Sequence, residues 1–211
     1  MSFLSRLFGS GPKTEGARGV EAQFEKLEEE AKHAHPSFVG TSLNKAGDLA
    51  QRAGQEDRAL AYYGRAIDAF LDDEQREAAR GVANKLIRVR PSAVRTLCTL
   101  TWLDLAAGHT ATALLHLRDY VAAAGEAGQQ ARAATQIYAM ARLSADPEIV
   151  ASIADSLDSL DYPTRGEEVR RWASDGAPGA IEDARELAES CLRAAIRSND
   201  RDTELLRDAD A

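Results

Sequence analysis

The sequence predicts an all-α chain, built as a solenoid of antiparallel helix hairpins, and three observations carry that prediction. Apolar residues recur at helical spacing from Val20 almost to the end, in segments of about 12–17 residues with breaks of about 2–6. No segment shows sustained period-two alternation with β-branched enrichment, so no strand is expected. The chain is rich in Ala and poor in aromatics, at 6%. Ala loses no side-chain entropy in a helix and lets helix backbones come close. Short breaks make sequential neighbours antiparallel, and a long run of such hairpins is the sequence form of a helical solenoid.

Residues 1–8 place Phe3, Leu4, Leu7 and Phe8 at helical spacing, two turns too short to be stable alone. Gly9 to Gly19 holds four glycines and a proline and reads as a flexible linker. Val20 to His35 follows, with Phe24, Leu27 and Ala31 on one face, ending at Pro36. Thr41 to Ala53 places Leu43, Ala46, Gly47 and Ala50 together before Gly54. Asp57 to Leu71 groups Ala59, Tyr63, Ala66, Ile67 and Phe70. Glu74 to Arg90 groups Ala79, Val82, Ala83, Leu86 and Val89, and Pro91 stops it. Ala93 to Ala107 presents Val94, Leu97, Cys98, Thr101 and Leu105. Thr110 is a good N-cap for a helix carrying Ala113, Leu114, Leu117, Tyr120 and Val121.

Gly128 to Leu143 carries Ala134, Ile137, Tyr138 and Ala141. Asp146-Pro147-Glu148 is a strong helix start: a capping carboxylate, a proline in the first turn and an acid near the positive helix end. The helix after it holds Ile149, Val150, Ile153, Leu157 and Leu160. Thr164 and Glu167 have capping-box spacing for a short helix containing Val169 and Trp172. After the turn Asp175–Gly179, a final helix is expected from about Ala180 to Arg197, with Ile181, Ala184, Leu187, Ala188, Cys191 and Ala195. The polar end beyond Asn199 is expected to fray. The organisation is therefore an apolar tip and linker over 1–19, a helical array over 20–175, a capping helix over 176–198 and a polar tail over 199–211.

Two stretches share one spacing pattern. Leu43, Ala46, Gly47, Ala50, Gly54, Ala59, Tyr63 and Ala66 are matched by Leu97, Leu100, Thr101, Asp104, Gly108, Ala113, Leu117 and Tyr120, each 54 residues on. Ala79, Ala83, Leu86 and Pro91 give a partial echo. The pattern resembles the tetratricopeptide repeat, a helix–turn–helix unit of about 34 residues. Residues 43–66 fit that family well; in 97–120, Thr101 and Asp104 depart from its usual small and aromatic choices. Residues 41–124 are similar to a broad group of bacterial tetratricopeptide proteins, including the close Lys85-Leu86-Ile87-Arg88-Val89-Arg90-Pro91. The clear resemblance covers about 40% of the chain and implies a right-handed superhelix. An offset of 54 is not a multiple of 34. The additional helix at about Glu74 to Arg90 either pairs with 57–71 as a divergent repeat or interrupts the array.

Net charge is −8 and the pI is near 5.1, and no block of five Lys or Arg occurs, so nucleic acid is disfavoured as a partner. Cys98 and Cys191 lack metal or redox spacing and read as buried free thiols, which suits a cytoplasmic protein. No apolar stretch approaches the roughly 20 residues needed to span a bilayer. No phosphate-cradling glycine loop and no activated Ser or Cys is recognisable, so neither a cofactor nor catalysis is expected. His33, His35, His109 and His116 lack metal spacing and read as solvated or partly buried. The clusters Glu28-Glu29-Glu30 and Asp72-Asp73-Glu74 read as solvated faces and helix-start charges.

The resemblance implies a scaffold or adaptor that holds a peptide or partner protein in a groove lined by the first helix of each unit. Carried over, the groove presents Asn44, Asp48, Gln51 and Arg52 from helix 41–53, and Arg95, Thr99 and Trp102 from helix 93–107. Trp102 is the sharpest candidate because exposed Trp often anchors binding; the alternative is that it packs as core. The paired Lys/Asn clamp for a terminal carboxylate is not evident. The tip, through Phe3, Leu4, Leu7 and Phe8, supplies a second expectation: docking to a membrane-associated machine, with direct lipid affinity marginal because it carries one Arg. An all-α enzyme is the remaining alternative. An uncapped apolar end of the array would pair two copies as a homodimer.

Overall fold

The computed structural model describes residues 12–175, which form nine α-helices and no strand. They are α1 (Pro12–His33), α2 (Pro36–Arg52), α3 (Glu56–Asp72), α4 (Arg76–Val89), α5 (Val94–Ala107), α6 (Thr110–Glu126), α7 (Gln130–Met140), α8 (Pro147–Ser159) and α9 (Pro163–Asp175). The expected tip, the helix 180–197 with Cys191, and the tail lie outside the described residues.

Four starts differ from the sequence reading: Thr110 and Thr164, expected as caps, are already helical, with His109 the N-cap of α6 and Pro163 opening α9, and α1 and α2 begin earlier than expected. The linker expected over Gly9–Gly19 is already helical from Pro12, where a proline opening a helix loses no hydrogen bond. Pro36 opens α2 instead of only closing the helix before it. The ring of His35 accepts from the Ser37 N–H as a cap, and Pro36 has the φ a first helical residue needs. The helix expected from Thr41 therefore gains Pro36 to Gly40, and Gly40 packs under the Phe70 ring.

The described residues divide into two compact units, one ending at Val89 and the other beginning at Arg90. In the first, consecutive helices pack side by side from α1 to α4. Alternate helices also meet. Phe24 of α1 stacks on Tyr62 of α3 at 5.7 Å, and Arg58 lies 3.7 Å over the Phe24 ring while gripping Glu21 through both its terminal nitrogens. Lys85 of α4 reaches Asp48 of α2. In the second unit consecutive helices pack from α5 to α9, and α5 meets α7 while α6 meets α8. Each unit thus has odd helices in one layer and even helices in the other.

The antiparallel hairpin α2–α3 forms as expected. Its crossing depends on glycine: a Cβ at Gly47 would lie 2.5 Å from carbons of the Tyr63 ring. Leu43, Ala46, Ala50, Ala59, Tyr63, Ala66, Ile67 and Phe70 are all buried.

Five of the interhelix turns are the same turn. Gly54, Glu74, Gly108, Gly128 and Asp161 have φ between 58 and 74°. After each, the next N–H returns to a carbonyl five residues earlier: Gln55 to Ala50, Gln75 to Phe70, His109 to Asp104, Gln129 to Ala124 and Tyr162 to Leu157, at 2.8–2.9 Å. This is the Schellman closure, which uses a left-handed residue to satisfy orphan carbonyls. The pair at 54 and 74 recurs at 108 and 128, and Asp161 stands 53 residues beyond Gly108. The connections at 90–93 and 141–146 have no left-handed residue and are marked by Pro91 and Pro147 instead.

The recurring unit is therefore three helices over about 54 residues: α2–α3–α4, then α5–α6–α7, then α8–α9. That explains an offset which is no multiple of 34. Burial follows the same period. Leu43, Ala46, Gly47 and Ala50 of α2 correspond to Leu97, Leu100, Thr101 and Asp104 of α5, and to Val150, Ile153, Ala154 and Leu157 of α8, and all are buried. Ala79, Val82, Ala83 and Leu86 of α4 correspond in the same way to the buried Ala133, Gln136, Ile137 and Met140 of α7.

Candidate functional site

Asn44, Asp48 and Gln51 follow one another at helical spacing along one flank of α2, beside its core residues. The structure ties them into one network with two residues the sequence reading did not assign to binding. The Lys85 ammonium donates to Asn44 Oδ1 at 3.0 Å and to both Asp48 oxygens at 2.8 and 2.9 Å. The Tyr63 hydroxyl donates to Asp48 Oδ1 at 2.8 Å and to Gln51 Oε1 at 3.0 Å. Arg52 curls back, its Nε donating to the Asp48 carbonyl at 3.2 Å. Three helices are thus joined through one carboxylate.

This network remains open to solvent. The Lys85 and Asp48 side chains keep 36% and 38% of their exposure, so the ion pair contributes no more than about 1 kcal/mol. Its value lies in order, since five polar groups are held in place on a packed scaffold. Burial pushes the Tyr63 phenol well above its usual range, and the Asp48 carboxylate beside it adds to the effect. Tyr63 therefore stays protonated and keeps donating.

The groove residues expected from α5 are not on a surface. Trp102 is 0% exposed and Thr99 1%; Arg95 is half-buried. The reason is that α5 has no polar face. Ten consecutive residues, Thr96 to Leu105, are buried, as in a helix enclosed on every side. Thr99 and Thr101 satisfy their hydroxyls on their own helix, donating to the Arg95 and Leu97 carbonyls. The sequence of α5 carries the signal, since only Arg95 and Asp104 are charged between Val94 and Ala107. Phe3, Leu4, Leu7 and Phe8 lie outside the described residues.

Asp104, 0% exposed, is the charged group α5 buries. His116 of α6 donates from Nδ1 to its Oδ2 at 2.8 Å, and His109 Nδ1 stands 3.5 Å from its Oδ1. Two of the four histidines thus serve one buried carboxylate and join α5 to α6. Cys98 is a buried free thiol, as the sequence predicts, and burial pushes it up to about 12, far from the reactive range.

An open groove of about 330 Å³ runs between α6 and α8 over Leu114, Leu117 and Val121. Its rim offers little polar recognition: Ser156 and Ser159 donate to their own helix, and Asp155 is held by Arg170. Among the described residues no group of three or more His, Cys, Asp or Glu could hold a metal ion, and no helix is long and apolar enough to cross a membrane.

No protein-family model matches the chain, and neither a curated protein nor a solved structure matches it.

Proposed function

We propose that the protein is a helical-repeat scaffold or adaptor, its helices stacked in a tetratricopeptide-like array with a three-helix period, that holds a partner protein or peptide against the α2–α4 face. One observation carries the reading: Asn44, Asp48, Gln51, Tyr63 and Lys85 are pre-ordered on that face while the two central charges stay half-exposed. Side chains already fixed in place lose little entropy when a partner arrives, and that is what an affinity surface needs.

The test is recovery of partners from the native cell by the full chain and by the triple variant Asn44→Ala, Gln51→Ala, Arg52→Ala. None of the three fills the core, so the helical spectrum and melting temperature should hold. A dominant protein partner should be recovered by the parent and fall at least about tenfold with the variant, equivalent to about 1.4 kcal/mol. Undiminished recovery would move binding elsewhere. Recovery of only a small molecule that the chain turns over would replace the scaffold reading with an enzymatic one.

A further inference from the structure

Tyr and Trp are scarce in this chain and mostly spent on the core. Tyr62, Tyr63, Tyr120 and Trp102 are buried. The described ones that remain half-buried, Tyr138, Tyr162 and Trp172, gather in one patch. Thr135 and Tyr138 on α7 and Arg142 in the turn just past it form a stripe. Tyr162, Arg165, Glu168 and Trp172 form a facing stripe along the start and length of α9, while Val169 turns into the core.

The stripes interlock as alternating rings and guanidinium planes. Tyr138 and Trp172 meet at 5.1 Å between ring centres. Arg142 lies over both, at 5.2 and 4.8 Å. Arg165 lies 5.4 Å over Tyr138 and 5.4 Å over Tyr162, anchored to the Thr135 hydroxyl at 3.2 Å. The carboxylate among them, Glu168, is engaged by the Tyr138 hydroxyl, and burial with that contact raises the phenol above its ordinary range.

We propose that this α7–α9 patch docks an acidic peptide segment of a partner protein, its carboxylates on Arg142 and Arg165 and its apolar side chains against Tyr138 and Trp172. Tyr, Trp and Arg are the residues that dominate binding energy at interfaces, and rigid rings lose little entropy on contact. A guanidinium beside aromatic rings carries five N–H donors, so edges not spent within the patch can reach a carboxylate. Charge complementarity selects the occupant: two half-buried cations stand beside one carboxylate already engaged. Single-stranded nucleic acid also stacks on such rings, but a phosphate backbone is held by a track of several cations, and this patch supplies two, Arg142 and Arg165. The patch belongs to the second compact unit and the α2–α4 face to the first, so failure here leaves the earlier proposal standing.

The probe is a dye-labelled peptide of twelve residues alternating Glu or Asp with Leu. Its Gln/Asn counterpart and a twelve-residue oligothymidylate serve as the other arms. Fluorescence polarisation with the full chain should show saturable binding of the acidic peptide alone, weakening as salt rises. The Arg142→Gln, Arg165→Gln variant, checked for an unchanged helical spectrum, should bind at least about tenfold more weakly. Arg165→Lys, which keeps charge but not the plane, should fall between. Equal binding of the amide peptide, preference for the oligonucleotide, no binding of any probe, or undiminished binding by the double variant would each overturn the proposal.

Discussion

Helices α2 and α5 hold equivalent places in the 54-residue period, yet one displays a polar face and the other hides all its sides. Asn44, Asp48 and Gln51 of α2 become Cys98, Trp102 and Leu105 of α5, and Lys85 of α4 becomes Ala139 of α7. Inside, the substitution runs the other way. Ala50, which asks nothing of its neighbours, becomes Asp104, which requires His116. The shared scaffold fixes a common core, such as positions 43/97 and 50/104; it fixes neither the burial nor the chemistry of the positions beside it. A groove residue cannot be carried from one repeat to the next by number alone, and this is why Thr99 and Trp102 prove to be core.

The sharpest way to break the comparison is to exchange its interior residues. The counterpart of His116 in the first repeat is Tyr62, whose hydroxyl is already committed to Glu28 at 2.7 Å. Ala50→Asp should therefore bury an unpartnered charge and cost at least about 4 kcal/mol, seen as loss of the helical spectrum of the first unit. Asp104→Ala should cost less, about 2–3 kcal/mol, because the exposed edge of His116 can turn to water. Urea denaturation of both variants measures the gap. An Ala50→Asp protein as stable as the parent would mean that position 104 has no special partner.

The next effect concerns helix approach. Gly47→Ala gains helix propensity but places its Cβ against the Tyr63 ring, so a net loss of about 1–3 kcal/mol is expected by calorimetry. The equivalent Thr101 shows that the second repeat accommodates a branched side chain there, so Thr101→Ala should cost less than Gly47→Ala. A stabilised Gly47→Ala protein would show that the ring yields.

Cys98 separates the two repeats by pH. Burial holds its thiol neutral up to about 12 in the folded state, whereas the unfolded thiol ionises near 8.5. Above that value the unfolded chain binds fewer protons than the folded one, so stability from this group falls as pH rises, by up to about 1.4 kcal/mol per pH unit until the folded thiol itself ionises. Cys98→Ala should flatten that alkaline slope in denaturant titrations between pH 8.5 and pH 11. Its counterpart Asn44 does not titrate and should contribute no slope. An unchanged slope in Cys98→Ala would assign it to the buried phenols, Tyr63 and Tyr120 among them, which burial also raises.

How much of this was legible follows from the same contrast. Most helices within the described residues have their expected positions, with α1 and α2 starting earlier, because every one carries a local period and most carry a stop such as Gly54, Gly108 or Pro91. The face of α2 was legible because Asn44, Asp48 and Gln51 form a polar stripe at helical spacing beside Leu43, Ala46 and Ala50. Lys85 was not, since its role depends on α4 lying beside α2, which no local pattern states. The three-helix period was visible as the offset of 54, but its meaning required the left-handed turns at Glu74 and Asp161, where the sequence places no glycine.

The smallest expected effect falls on the face proposed to bind. Gly81 sits mid-helix in α4, one turn before Lys85, and a Cβ there would meet nothing within 4 Å. Its counterpart in α7 is Thr135, which carries a side chain and satisfies its hydroxyl on the Ala131 carbonyl. Nothing in the packing of α4 therefore requires glycine, and Gly81→Ala should stabilise the chain by about 0.5–1 kcal/mol through helix propensity. Thermal denaturation reads that gain, and a loss would reveal a packing constraint at position 81. The gain also isolates binding from folding. If a partner's backbone lies close against α4, Gly81→Ala should raise the melting temperature while lowering recovery of that partner, a combination no folding defect produces.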